Sequence, residues 1–246
     1  MMKIILLSAG KRSSLVPLKD PLESHSSIDY TKTVLNKQLQ SLELCQQFSE
    51  VTFILGFKAE NYLPLINNSK LKNKVIYNPQ WKNTKNFSSL CLAKQELDSD
   101  FMICNGDLLF HPSIFSSFFP HQDGIYLACY KKEFESYTSQ DRKVKINQKG
   151  LIHKISKELP FSETTYVSPG LCCIRGKKAQ NAFKDAMEEL SQDNICSSFD
   201  WFEILNLLAQ SGLASTPQKL KTQHIWLDLG LPSQDDKISV INDNLS

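Results

Sequence analysis

Strand-length apolar runs alternate with helical-period segments between Lys3 and Tyr130, and this alternation restricts the fold more than any other feature of the chain. The runs are Lys3 to Ser8, Val51 to Gly56, Lys74 to Tyr77, Phe101 to Asn105 and Gly124 to Tyr130. Between them, Thr31 to Phe48 places Val34, Leu35, Leu39, Leu42 and Cys45 on one stripe. Phe87 to Leu97 does the same with Leu90, Ala93 and Leu97. Strands that alternate with helices form a parallel sheet with helices on both faces. The runs are apolar throughout, as strands covered on both sides are. The expected architecture is α/β: a Rossmann-like three-layer α/β/α domain with a mixed, mostly parallel sheet.

Beyond Tyr130 the texture changes. Lys131 to Asn147 is charged and rich in turn residues, and Lys149-Gly150 reads as a hairpin turn between Val144-Lys145-Ile146 and Leu151 to Ile155. A strand over Thr165 to Ile174 and helices over Lys177 to Ser191 and Phe199 to Ser211 follow. Trp201 and Phe202 have helical spacing with Leu205 and Leu208, which predicts core packing. A late strand, His224 to Asp228, ends in a turn at Gly230, and Pro232 begins a short C-terminal helix. The expectation is one domain over residues 1–246, with 131–176 as a small β-rich insertion.

Composition narrows the functional classes. Hydrophobic residues make up 41% and charged residues 22%, an ordinary globular balance, and the net charge of +2 argues against nucleic acid or an anionic membrane surface. No apolar run approaches the ~20 residues that span a bilayer, and the short first run carries no cleavage site, so a secretory signal is not expected. The seven cysteines form no C-x-x-C pair and several fall within apolar runs, as in Phe101-Met102-Ile103-Cys104. Buried reduced thiols and a cytoplasmic location are expected. The five histidines are scattered without ligand spacing.

Open α/β sheets bind ligands outside the carboxyl ends of their parallel strands. Three polar groups fall at such ends: the loop Ser8 to Ser14, the turn Asn105-Gly106-Asp107, and Asp228. Ser8, Ala9 and Gly10 carry little bulk, so backbone N–H groups can approach an anion closely. Lys11 and Arg12 add positive charge. Two carboxylates beside an anion-binding loop suit magnesium-dependent phosphoryl or nucleotidyl transfer. On spacing alone, the alternative is that Asp107 and Asp228 are simple turn residues. Trp81 offers an aromatic wall for an acceptor, and such a wall suits a quaternary ammonium.

These segments, in order, resemble the nucleotidyltransferases that join a nucleoside triphosphate to a sugar 1-phosphate, phosphocholine or a related molecule. Ser8-Ala9-Gly10 with Leu15-x-Pro17-Leu18 is similar to the opening A-A-G-x-G-x-R-L-x-P-L of that family. Tyr77-Asn78-Pro79 through Asn86-Phe87-Ser88-Ser89-Leu90 is similar to Y-N-P…N-N-x-x-S-L of its phosphocholine cytidylyltransferase branch. Asn105-Gly106-Asp107 resembles its N-G-D, and Trp226-Leu227-Asp228-Leu229-Gly230-Leu231-Pro232 its W-x-D-I-G-T-P. The resemblance implies Mg2+ held by Asp107 and Asp228, and a nucleotide, CTP first, bound by Ser8, Ala9, Gly10, Lys11, Asn86, Ser89 and Gly106. It also implies in-line attack by the acceptor phosphate, with pyrophosphate released. On the acceptor side, Lys157 matches the lysine of a G-x-I-x-x-I-x-K run; its alternative is a solvated strand face.

Departures from the pattern are specific. Arg12 replaces the second glycine, Ser14 the signature arginine, and Leu22 the lysine after proline; Lys85 stands for the first asparagine of the pair. Lys11, Arg12 and Lys19 can supply the displaced charge from neighbouring positions, with Arg12 and Lys19 assigned to catalysis. A nucleotide-binding protein without turnover is the second reading. A nucleotide-sugar glycosyltransferase ranks last, because Asn105-Gly106-Asp107 offers one carboxylate where that class carries D-x-D.

Overall fold

Strand β1 (Met2–Ser8) lies inside a seven-stranded sheet, with β2 (Phe48–Leu55) and β4 (Phe101–Asn105) parallel to it on either side. Beyond β2, the edge strand β3 (Asn73–Tyr77) continues the parallel run. On the other flank β10 (Leu171–Arg175) runs antiparallel to both β4 and β6 (Gly124–Cys129), and β11 (Thr216–Lys219) closes the sheet parallel to β6. The order is β11-β6-β10-β4-β1-β2-β3, mixed and mostly parallel. This computed structural model describes residues 2–11, 34–133, 136–220 and 226–228.

Apolar strands build a core on each face. From β1, Ile4 and Leu6 pack with Leu35, Leu39 and Leu42 of helix α1 (Val34–Cys45), and with Ile66 of α2 (Leu63–Asn68) and Phe115 of α4 (Ser113–Phe118). Ile5 and Leu7 face the opposite core. There they join Phe87 and Leu90 of α3 (Asn86–Leu92), Phe183 and Met187 of α5 (Lys177–Ser191), and Leu205 of α6 (Phe202–Gln210). The period-two alternation of a strand thus feeds two helical layers, and the α/β/α expectation holds.

Local chemistry moves several boundaries. The first helix stops at Cys45 because Gln46 takes a left-handed conformation (φ 51), and Phe48 already belongs to β2. The segment expected as one helix over 87–97 is α3 followed by a 3-10 turn, Lys94–Glu96. The single strand expected over 165–174 is two. Pro169 and Gly170 (φ +91) break it into β9 (Tyr166–Ser168) and β10, which enter different sheets. Helix α6 begins later than Phe199, after a 3-10 turn over Cys196–Ser198. Helices α2 and α4 and strands β5 (Leu108–Phe110) and β11 were not anticipated. Strand β11 contains Pro217, which only a sheet edge accommodates well.

A second sheet of three strands packs beside the first. In it β7 (Arg142–Ile146) pairs antiparallel with β8 (Ile152–Ser156) and β9. Gly150 (φ 74) turns the expected hairpin. Asn206 of α6 fixes this sheet to the main body: Ile155 N–H donates to its Oδ1 (2.8 Å), and its Nδ2 donates to Ile155 O (2.9 Å). Residues 171–175, part of the stretch expected as an insertion, belong to the main sheet. The late strand is β12 (Trp226–Asp228), antiparallel to β5; His224, Ile225 and the expected helix at Pro232 lie outside the described residues. All seven cysteines are free, and burial pushes the thiols of Cys104, Cys129 and Cys172 up. No helix among the described residues is long and apolar enough to cross a membrane.

At the end of the sheet where β1 begins, Lys3 donates to Glu96 Oε2 (3.1 Å) and Lys74 pairs with Oε1. Burial alone would raise the Glu96 carboxyl, but the two ammonium groups outweigh it and hold the group below its usual range. A depressed folded pKa means the stabilisation is complete above the unfolded carboxylate range and is lost as pH falls through the folded value. Thermal melts should therefore show an acid limb beginning near pH ~4.3, flatter in Glu96→Gln than in the wild type.

Candidate active site

One glycine sets the floor of the site. Gly106 N–H, in the turn after β4, donates to Leu7 O of β1 (3.1 Å). A Cβ there would lie 2.5 Å from Ser8 Oγ and 2.6 Å from Leu7 O, so the two strand ends approach as closely as backbone allows. The contact brings Asp107 beside Ala9 and Gly10 at the mouth of a cleft of about 250 Å3. The loop after β1 is pinned from its other side, where Phe57 N–H donates to Ala9 O (2.9 Å). Gly56 permits this, since its Cβ would meet Ala9 O at 2.6 Å and Trp81 Cβ at 2.7 Å.

The walls are built on side-chain amides. Buried Asn78 donates to Ser89 Oγ (3.0 Å) and Thr84 Oγ1 (3.2 Å), and accepts from Gln80 N–H (2.9 Å). This locks the turn that leads into α3. Trp201, fully buried as expected of a core residue, has a further role. Its backbone N–H donates to Asn86 Oδ1 (3.0 Å) and its indole Nε1 donates to Asn105 Oδ1 (2.9 Å). Two cleft asparagines from separate elements are thus oriented by one residue. Gly170 leaves room for Asn105, whose Nδ2 would lie 2.1 Å from a Cβ at that position.

Of the residues singled out from sequence, Ala9, Gly10, Trp81, Asn86, Ser89, Gly106 and Asp107 line this one cleft. Ser8 lies buried beneath Gly106, and Lys11 Nζ lies over the Phe57 ring (5.9 Å). Lys157 is not brought to the cleft: it follows β8 in the second sheet, and its Nζ donates to Gln140 Oε1 (3.1 Å) on an exposed surface. Arg12 and Lys19 lie outside the described residues. The lining residues Leu7, Thr84, Lys85, Arg142 and Asp200 were not among those singled out. Lys85 had a signal, since it stands in the Asn-rich segment. Arg142 and Asp200 had none, because only the second sheet and the turn before α6 bring them together.

Asp228 reaches the same region through its strand. The β12–β5 register sets Asp228 opposite Leu108, the residue after Asp107, so the backbones carrying the two carboxylates are neighbours. Among the described residues no three His, Cys, Asp or Glu side chains cluster as metal ligands. A magnesium ion suits a sparser donor set, taking one or two carboxylates and completing its shell with water and phosphate oxygens. Asp107, a hard oxygen donor lining an open cleft, fits that requirement.

By sequence the chain matches no protein-family model and no curated protein. By structure it is similar over its full length to several solved enzymes. The inositol-1-phosphate CTP transferase from T. maritima is 19% identical with a TM-score of 0.71, covering 100% of this chain and 98% of that one. The CTP:phosphocholine cytidylyltransferase from Streptococcus pneumoniae is 14% identical with a TM-score of 0.64, covering 100% and 99%. A UDP-glucose pyrophosphorylase complexed with UDP-glucose is 13% identical with a TM-score of 0.69, covering 99% and 98%. The fold is therefore that of the nucleotidyltransferases, the class that the ordered motifs resemble.

The strictness of the floor can be checked directly. Gly106→Ala should cost about 1–3 kcal/mol in urea unfolding, because Leu7 O is backbone and cannot yield as a flexible side chain would.

Proposed function

We propose that the protein is a magnesium-dependent nucleotidyltransferase that couples a nucleoside triphosphate, CTP first, to a phosphorylated small molecule and releases pyrophosphate. The observation that carries this reading is the meeting of Ala9-Gly10 and Gly106-Asp107 in one cleft at the carboxyl ends of two adjacent parallel strands. Two of the similar structures are enzymes named for CTP, which supports that base; a third is named for UDP-glucose.

The chemistry asks for positioning rather than for a protein nucleophile. An acceptor phosphate oxygen bonds to the α-phosphorus as the bond to the bridging oxygen breaks, and pyrophosphate leaves with that electron pair. In this reading the small residues after β1 present backbone donors to the triphosphate. Lys11 and Lys85 add cations near the developing charge. Asn86, held by Trp201, orients the nucleotide from the start of α3. Asp107 and Asp228 would hold Mg2+, which when bound neutralises phosphate charge.

Pyrophosphate release across a panel of triphosphates and phosphorylated acceptors tests the proposal. Turnover should require Mg2+, stop with chelator and be fastest with CTP. The departures at Ser14 and Leu22 favour the second reading, and nucleotide binding without any pyrophosphate would establish it. Asp107→Ala should lower kcat/KM by ~10^2–10^3. Its melting temperature should stay within ~2 °C of wild type; a large drop would mark Asp107 as a structural turn residue instead.

A further inference from the structure

The wall of the cleft away from the β1 loop carries an ion pair that no motif anticipated. Arg142, the first residue of β7, holds its Nε 3.6 Å from Asp200 Oδ2, and both side chains are mostly covered while lining the cleft. The guanidinium lies over the Phe202 ring (5.4 Å), Phe202 stacks on Trp201 (4.0 Å between centroids), and Trp201 bonds Asn105 at the floor. This column fixes the pair relative to Gly106 and Asp107. The second carboxylate oxygen, Asp200 Oδ1, is buried and accepts no hydrogen bond from the described residues.

We propose that Arg142 and Asp200 read the acceptor, and that they select a hydroxyl-bearing phosphate, a sugar or polyol phosphate, over a quaternary ammonium. This inference rests on the nucleotidyltransferase reading of the cleft. A hydroxyl both donates and accepts, so adjacent hydroxyls match a carboxylate oxygen beside a guanidinium. A trimethylammonium has no N–H to donate to the Asp200 carboxylate, and Arg142 in the same ion pair offsets the attraction of that carboxylate for it.

The aromatic side of the cleft points the same way. Trp81 and Phe57 meet edge to face at 5.1 Å, the kind of pair that can cage a quaternary ammonium. Here the pair already carries the chain's own cations. Lys82 Nζ lies 5.5 Å from the Trp81 ring, and Lys58 and Lys11 lie 5.5 Å and 5.9 Å from Phe57. Three ammonium groups around these rings disfavour another cation and favour an anionic acceptor.

Calorimetric binding of glucose 1-phosphate, myo-inositol 1-phosphate and phosphocholine, with CTP and Mg2+ present, tests the inference. The two polyol phosphates should bind at least ~10-fold more tightly than phosphocholine, as loss of a charge-assisted hydrogen bond predicts. Asp200→Ala should weaken polyol phosphate binding more than it weakens CTP binding. Arg142→Met should weaken polyol phosphate binding and improve phosphocholine binding, a gain that a merely structural residue would not produce. Phosphocholine binding as tight as the polyol phosphates, no binding of any acceptor, or variants that shift all three alike would overturn the inference. Pyrophosphate release in the same samples reports separately on catalysis. Selective binding without turnover would leave the acceptor wall standing and remove the enzyme.

Discussion

Close contact between the carboxyl ends of β1 and β4 underlies the rest of this molecule. Parallel pairing from Lys3 opposite Phe101 to Leu7 opposite Asn105 aligns the strand ends, and Gly106 then folds directly over Ser8. A side chain at that point would push the turn outward and carry Asp107 with it. Because parallel strands end on the same side, the loop after β1 and the carboxylate turn share one cleft without any special connection.

Around that contact one helical layer supplies two sides of the cleft. The crossover through α3 supplies Asn86 and Ser89, the latter positioned by the Asn78 network, while the segment into α6 supplies Asp200 and Trp201. Trp201 joins them by donating to an asparagine on each side of the floor. Its burial among apolar neighbours gives those two hydrogen bonds a fixed geometry, since a packed indole has little freedom to turn. The second sheet, held to α6 through Asn206, brings Arg142 to the same wall. At the opposite end of β1, Glu96 binds two lysines. The cleft and the ionic anchoring of the sheet therefore use separate groups.

Strands β1 to β4 and β6, and helix α5, were legible to within a few residues, because continuous apolar runs and a 3.6-residue stripe are direct consequences of burial. The site was legible where short segments carry their own geometry: Ala9-Gly10, Asn86 to Ser89 and Gly106-Asp107 all fall in the cleft. Lys157 lies away from the cleft, and a strand-end lysine reads the same in sequence whether it faces a ligand or solvent. The split at Pro169-Gly170 was missed since both halves are apolar, and only pairing shows that they enter different sheets.

What the amino-acid order determined by itself was the layered α/β plan and the identity of the residues at the strand ends, both products of local periodicity and small-residue turns. Tertiary structure decided which distant groups meet: Trp201 with Asn86 and Asn105, Asp228's strand with β5, and Arg142 with Asp200. Those pairs depend on how whole elements pack, and no local pattern encodes a distance between two faces that fold together from opposite parts of a chain.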